Sequence, residues 1–512
     1  MSSLNSQVRF DFSNIAVNAA KDLHMMVSLE APKMEQDAER APLNVSAAID
    51  ESGSMSGKNK MSFVKASLNR MLNHLTDRDR IGLVGFATGV REIMAPAMMT
   101  AENKEKFRQA VDVLTPQSTT NLSGGLFRGV EQMTGATKGA LNRIMLFTDG
   151  LANCGVCNAE ELSSALIGSL KNHSVANITV SCFGYGNDVD TEFLEALARI
   201  GKGNYYHIDK PDNAPRAFGK ELGGLLSTVA QNIRIRLTPK PDVKLHEVLN
   251  DFTVSPDGDS TIIEIEDIFS EEKKHIVVHL GVPAISEAVA ARPFKVCDIN
   301  IAYVDIVGDG QQSEDLKAKI NVAKNGNVQD KPNSDVEEQI AVLKAAQAIQ
   351  QATLLADSGD YSGAQQVMFC AAEAVRDTQA FAAGSELLHG LAQETHMYAN
   401  SVSEAGSYGR SKRTIKSARR TYGRARSSGG AKSMFDTKSV GDMADNFGKG
   451  ITDVNPDIVQ MGATDDSSQQ VHYTGYEPNA VFSPAPALED SLKKKEEPEK
   501  KSLHKIRTKR SF

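Results

Sequence analysis

The chain contains no run approaching about 18 uninterrupted apolar residues, so a bilayer-spanning helix is not expected. Residues 1–11 lack both a basic start and an apolar core, so an export signal is not expected either, and the chain is read as cytoplasmic. Five cysteines in 512 residues are too few for a disulfide framework. Positive charge does not predominate: the net charge is −8, which gives the whole chain no nucleic-acid signature. Tryptophan is absent, and that decides nothing. What remains is ordinary for a globular protein, with 40% hydrophobic and 24% charged residues and enough length for two or three domains.

Within this unremarkable composition, Asp50-Glu51-Ser52-Gly53-Ser54 follows directly on an apolar run from Leu43 to Ile49. The run reads as a buried strand, and Gly53 lets the turn after it bend tightly enough for Ser52 and Ser54 to face one point with Asp50. Asp-x-Ser-x-Ser alone has low specificity, because Asp and Ser collect in turns for local hydrogen bonding. Two further loops strengthen it. Ser118-Thr119-Thr120-Asn121 opens a helix-like run, and a second apolar strand, Arg143 to Phe147, closes on Thr148-Asp149-Gly150. Oxygen-only ligands of this kind suit a hard divalent cation.

In order, spacing and residue type these three loops resemble the von Willebrand factor A family. Asp50, Ser52, Ser54, Thr120 and Asp149 stand at all five positions of that family's metal-ion-dependent adhesion site. Residues Asp79 to Phe86 are similar to its second strand and Thr148-Asp149-Gly150 to the end of its fourth, and the likeness covers residues 40–230. The resemblance implies Mg²⁺, or another divalent cation such as Mn²⁺ or Ca²⁺, with a coordination position left for an Asp or Glu side chain of a protein partner. It implies binding rather than turnover, since no nucleophile with an adjacent base stands nearby.

Two other functions share parts of this pattern. A Mg²⁺-dependent phosphohydrolase on a similar sheet would use Asp50 as the phosphoryl acceptor, but wants a second acid two residues later, where Ser52 stands, and a cation; Lys58 and Lys60 read as loop residues. A ubiquitin-pathway or quality-control adaptor would be expected to carry a cysteine–histidine zinc array, for which there is no support. Cys154-Gly155-Val156-Cys157 supplies half a tetrahedral zinc site, with no second pair or histidine cluster at suitable spacing elsewhere. A redox role for it would need a helix N-terminus near Asn158. Cys182, Cys297 and Cys370 lie in apolar runs and read as core.

Strand and helix patterns alternate from Asn44 to Val229, which predicts a doubly wound, mostly parallel α/β sheet whose ligands sit at the carboxyl ends of its strands, over 41–230. Period-two patterns before and after it (Val8, Phe10, Phe12; Met25, Val27, Leu29; Ile233, Ile235, Leu237; Val296 to Ile306) predict half-buried strands. Residues 1–40 and 231–310 are therefore expected to share a β-sandwich into which the α/β domain is inserted. Ser334-Asp335-Val336-Glu337 reads as a capping box at the start of a helical hairpin or bundle over 334–402. Residues 403–512 read as a disordered tail with a basic run from Arg410 to Arg426, an aromatic cluster at Val471 to Tyr476 and a second basic cluster from Lys493 to Arg510. Such runs more commonly form a solvated tail that balances an acidic body, and contact with nucleic acid, an anionic surface or an acidic partner would be made only through them.

Overall fold

In a computed structural model the described residues are 4–427, without 35–39, 118, 150–152, 175–176, 187–188, 209–212, 266, 288–291, 307, 309, 324–327, 329–330 and 424–425. The aromatic cluster at 471–476 and the second basic cluster lie outside them, as do Ser118 and Gly150.

Three short strands come first, β1 (Asn5–Phe10), β2 (Asn14–Ala16) and β3 (Lys21–Glu30). The α/β unit follows: β4 (Leu43–Asp50), α1 (Lys60–Met71), β5 (Arg80–Phe86), β6 (Val90–Met98), α2 (Ala101–Asp112), α3 (Leu122–Glu131), β7 (Leu141–Thr148), α4 (Ala159–Asn172), β8 (Ile178–Tyr185), α5 (Thr191–Ile200), β9 (Lys202–Ile208) and α6 (Ala214–Leu226). Its strands lie in the order β6-β5-β4-β7-β8-β9, parallel throughout except for β6 at one edge. The edge position also explains how β6 tolerates Pro96, whose missing N–H would break a central ladder.

Every residue of β4, β7 and β8 is buried, because helices cover both faces of the sheet. Phe63 and Leu68 of α1, Phe107 of α2 and Phe218 of α6 form one core with Val45, Ala47 and Ile49 of β4. Leu126 of α3, Leu166 of α4 and Leu197 of α5 form the other with Ala48 and Leu146. At the amino end of β4, buried Asp79 accepts from the Leu43 backbone N–H at 2.9 Å and from Arg40 at 2.6 and 2.8 Å, which pins the strand in place.

The chain then continues through β10 (Thr228–Pro239), β11 (Lys244–Val248), β12 (Thr253–Asp257), β13 (Ser260–Ile265), β14 (Ile268–Phe269), β15 (Lys273–Val282), β16 (Phe294–Asp305) and β17 (Gly310–Ala323). One sheet runs β1-β3-β15-β11 and another β12-β13-β10-β16-β17-β2. Alternate residues of both, among them Met25, Val27, Ile276 and Val278 from the first and Ile233, Ile235, Ile299 and Ile301 from the second, enter a single hydrophobic cluster. The β-structure does not stop at 310: Leu316, Ala318, Ile320 and Val322 continue the period-two pattern in β17, a signal diluted by the charged residues between them.

Five helices follow, α7 (Ser334–Asp357), α8 (Tyr361–Arg376), α9 (Gln379–Ala382), α10 (Glu386–Ser401) and α11 (Ala405–Gly423), and a two-residue strand, Arg426–Ser427, then pairs with β15. Val336 and Leu343 of α7 lie on Met26 and Val277, on the outer face of the first sheet. The N-cap of α7 is Asn333, whose side chain accepts from the Asp335 and Val336 N–H groups, rather than Ser334 in a capping box; Glu337 instead accepts from the Ala380 N–H at 2.8 Å. Helix α11 corrects the boundary expected at 403. Tyr408, Ile415 and Tyr422, seven residues apart, are buried against α7, α8 and α10, a stripe that the surrounding basic residues mask in composition. Those basic residues are also engaged: Lys412 pairs with Asp357 at 2.6 Å, Lys416 with Glu192 and Asp357, and Arg419 with Asp251 at 3.2 Å. These three described cations are thereby drawn into intramolecular contacts.

Candidate metal centre

At the carboxyl end of β4 the backbone passes into a short 3-10 turn, Gly53–Asn59, with Ser52 at its start. Both oxygens of Asp50 are held: Oδ1 accepts from the Ser52 N–H at 2.7 Å and Oδ2 from the Thr148 hydroxyl at 2.6 Å. Ser52 Oγ lies 2.9 Å from Ser54 Oγ, and Ser54 Oγ donates to Asp149 Oδ1 at 2.6 Å. Ends of the neighbouring parallel strands β4 and β7 thus bring Asp50, Ser52, Ser54 and Asp149 to one place. Thr120 is positioned through its backbone. Its N–H donates to Asn153 Oδ1 at 2.7 Å, and its carbonyl accepts from the Asn153 and Cys154 N–H groups, so the loop before α3 is tied to the loop after Asp149.

Four residues that sequence reasoning passed over complete the arrangement. Glu51 is buried, its carboxylate forked onto Arg91 at 2.6 and 3.0 Å and accepting from the Thr115 N–H at 3.0 Å, while its carbonyl accepts from Gln117 N–H. It joins the Asp50 turn to the segment that leads to Thr120. Thr148 and Asn153 act as described. Lys60, expected in a loop, is the first residue of α1 and its ammonium pairs with Asp149 Oδ2 and approaches the Ser54 carbonyl at 3.4 Å. Thr148 and Glu51 adjoin Asp149 and Asp50 in sequence, but what Glu51, Asn153 and Lys60 meet, Arg91, Thr120 and Asp149, lies 33 or more residues away.

Burial pushes the Asp50 carboxyl up to about 6, against the lowering effect of its hydrogen bonds from Thr148 and Ser52, and the Asp149 charge adds to the rise. The pocket therefore concentrates negative charge among neutral hydroxyls, with one ammonium beside it. Such an oxygen-only donor set with two carboxylates fits a hard dication.

The Cys154–Cys157 loop lies next to this centre. Gly155 has φ +74°, and a Cβ there would lie 2.3 Å from Ser123 Oγ, so the loop packs closely on the start of α3. Asn158 caps α4 just beyond it. Both thiols are free, as are the other three. Cys182 and Cys297 are buried, and burial pushes the Cys297 thiol up to about 12. Cys370, expected in the core, is exposed on α8, since its apolar neighbours face inward and it does not.

Residues 44–220 match the family model of the von Willebrand factor type A domain. Over 200 residues the chain is 31% identical to the uncharacterised protein YfbK of Escherichia coli (strain K12), a match that spans 39% of this chain and 34% of that protein. It is 24% identical over 363 residues to the uncharacterised protein sll0103 of Synechocystis, covering 67% of this chain and 81% of that one. A solved structure, von Willebrand factor type A from Catenulispora acidiphila, superposes with a TM-score of 0.60 at 16% identity over 77% of this chain and 96% of its own. The chain therefore carries a von Willebrand factor type A domain with the fold expected of it, and the likeness in fold extends beyond that domain. Among the described residues no helix is long and apolar enough to cross a membrane.

Proposed function

We propose that Asp50, Ser52, Ser54, Thr120 and Asp149 hold a divalent cation, Mg²⁺ foremost, and that the site captures an exposed Asp or Glu of a partner protein, making the chain a non-enzymatic scaffold. The observation that carries this reading is the convergence of Ser52, Ser54 and Asp149 in one chain of contacts at 2.9 and 2.6 Å. Bound there, the cation supplies an electrophilic position for a carboxylate oxygen. The protein's own part is orientation. Ser52 N–H and Thr148 hold Asp50, Asn153 holds the Thr120 backbone, and Glu51 fastens the intervening loop. The hydroxyl ligands are neutral and the two carboxylates offset the charge of a dication, so the Lys60 ammonium beside Asp149 leaves the loaded site with an excess of positive charge, which favours an anionic partner.

Asp50 as a phosphoryl acceptor is less consistent with this site, because Ser52 stands where a second acid is needed. The five free thiols fit the reducing cytoplasm. Titration of the full chain with Mn²⁺ as a spectroscopic probe should show one site of this kind, lost in Asp149→Ala and in the pair Ser52→Ala, Ser54→Ala. Partner recovery should be abolished by chelator and by the same variants. Recovery indifferent to both, or hydrolysis of a phosphate ester lost in Asp50→Asn, would overturn the reading.

A further inference from the structure

We propose that Asp22, His246 and His279 form a second metal site, for a borderline transition dication such as Zn²⁺, on the outer face of the β1-β3-β15-β11 sheet. In sequence these residues are 257 positions apart at the extremes and have no metal-ligand spacing; the strand order brings them together. On paired β3 and β15, His24 stands opposite His279 and Asp22 opposite Gly281. On the other side of β15, strand β11 slips register between Leu245 and Glu247, and His246 is the residue within the slip. Such a bulge re-aims a side chain. Here His246 Nε2 lies 3.6 Å from Asp22 Oδ1.

One ligand atom from each of the three residues lies within 4.8 Å of the other two. Tetrahedral Zn²⁺ with N and O donors at its usual bond lengths requires about 3.4 Å between donors. The His246–Asp22 pair already meets this, and the two exposed side chains have the freedom to close the remainder onto His279. Gly281 keeps the space clear: a Cβ there would lie 2.6 Å from His246 Nε2 and 3.5 Å from Asp22 Oδ1. The imidazoles are held as a stack. His24 and His279 are parallel at 4.9 Å between centroids, His246 lies tilted at 4.8 Å from His279, and His24 is fixed by Asp11 at 3.0 Å from its Nδ1. Two nitrogens and one carboxylate oxygen select a different class of ion from the oxygen-only centre on β4 and β7, and three protein ligands leave a fourth position for water or a further group.

The test is competition of the full-length protein with a chromogenic Zn²⁺ chelator, in buffer containing millimolar Mg²⁺. One Zn²⁺ per chain is expected, with affinity falling tenfold to a hundredfold or more in His246→Ala, His279→Ala and Gly281→Ala. Asp149→Ala and the pair Cys154→Ser, Cys157→Ser should leave it unchanged. Zn²⁺ should also raise the unfolding midpoint of the wild type and not that of Asp22→Asn, whose exposed side chain is dispensable for folding. Stoichiometric binding that survives the double variant His246→Ala, His279→Ala, or no stoichiometric binding at micromolar Zn²⁺, would overturn the assignment.

Discussion

Arg143, in the middle layer of the α/β domain on β7, reaches Asp267 in the β13–β14 connection at 2.8 Å, and both side chains are buried. The same guanidinium lies 3.3 Å from Glu221 on α6, the last helix of the domain, and Glu221 also accepts from Ser181, Asn204 and Tyr206. Burial raises the Asp267 pKa, while Arg143 and Lys274 oppose the rise. A buried ion pair is weak evidence of net stabilisation, but removing one partner strands the other in low dielectric. Asp267→Ala is therefore expected to lower the stability of the whole chain by about 3 kcal/mol in urea unfolding. Because the network spans the α/β domain and the flanking sheets, the loss should register in both together, and a variant that left the α/β transition in place would contradict this.

Lys60 stands beside Asp149 as a built-in countercharge. A divalent cation entering the proposed centre must displace it or share the carboxylate with it. Lys60→Met should accordingly raise Mg²⁺ affinity by about tenfold, equivalent to about 1.4 kcal/mol. Calorimetric titration reads the change directly, and weaker binding in the variant would show that the lysine supports the site instead.

Gly85 on β5 touches the support behind the centre: a Cβ there would lie 2.1 Å from Glu51 Oε2 and 2.8 Å from Ile93. Gly85→Ala should force Glu51 off Arg91 and Thr115, at a cost of about 1–3 kcal/mol of overpacking. The loop to Thr120 loosens with it, so Mg²⁺ affinity should fall several-fold although no ligand has changed. Unfolding and titration of the same variant separate the two effects.

His275 on β15 is largely enclosed, with Ser28 Oγ at 2.9 Å from Nδ1, and burial lowers its pKa from 6.5 to about 4. Between these values the unfolded chain binds the extra proton and the folded chain does not. Its contribution is thus fully present above about pH 6.5 and is lost as pH falls toward 4, by at most about 3 kcal/mol. Asp50, raised to about 6, acts in the opposite sense, since the folded state there holds the proton more tightly. The measurement is therefore a difference: wild type should lose more stability than His275→Gln between pH 7 and 4.5.

Ile415 is fully buried in the helical region although its neighbours in sequence are mostly basic and polar. Ile415→Ala should cost about 2–4 kcal/mol by thermal or urea unfolding. An effect below about 0.5 kcal/mol would mean that α11 adds nothing to the helical core.

The α/β domain was open to reading from sequence because its signals are local. Leu43 to Ile49 and Ile144 to Phe147 are mostly apolar runs followed within two residues by an acid, and strands covered on both faces read in this way. The spacing of Asp50, Ser52 and Ser54 is likewise set within one turn. The helix α11 and the strand β17 were harder, since each interleaves its buried residues with charges and composition averages the two. Lys60, Glu51 and Asn153 carried no signal, because nothing near them in sequence says what they meet.

By itself, then, the sequence determined which residues end the central strands, which strands are buried on both faces, and that hydroxyl and carboxylate side chains gather after Ile49. Tertiary structure alone decided that Lys60 neutralises Asp149, that Arg143 bridges to Asp267 across 124 positions, and that Asp22, His246 and His279 meet on one sheet face. The physical reason is the same in each case. Periodicity and turn chemistry act over a few residues, whereas strand order, register slips and the reach of a long side chain are settled only when distant segments pack.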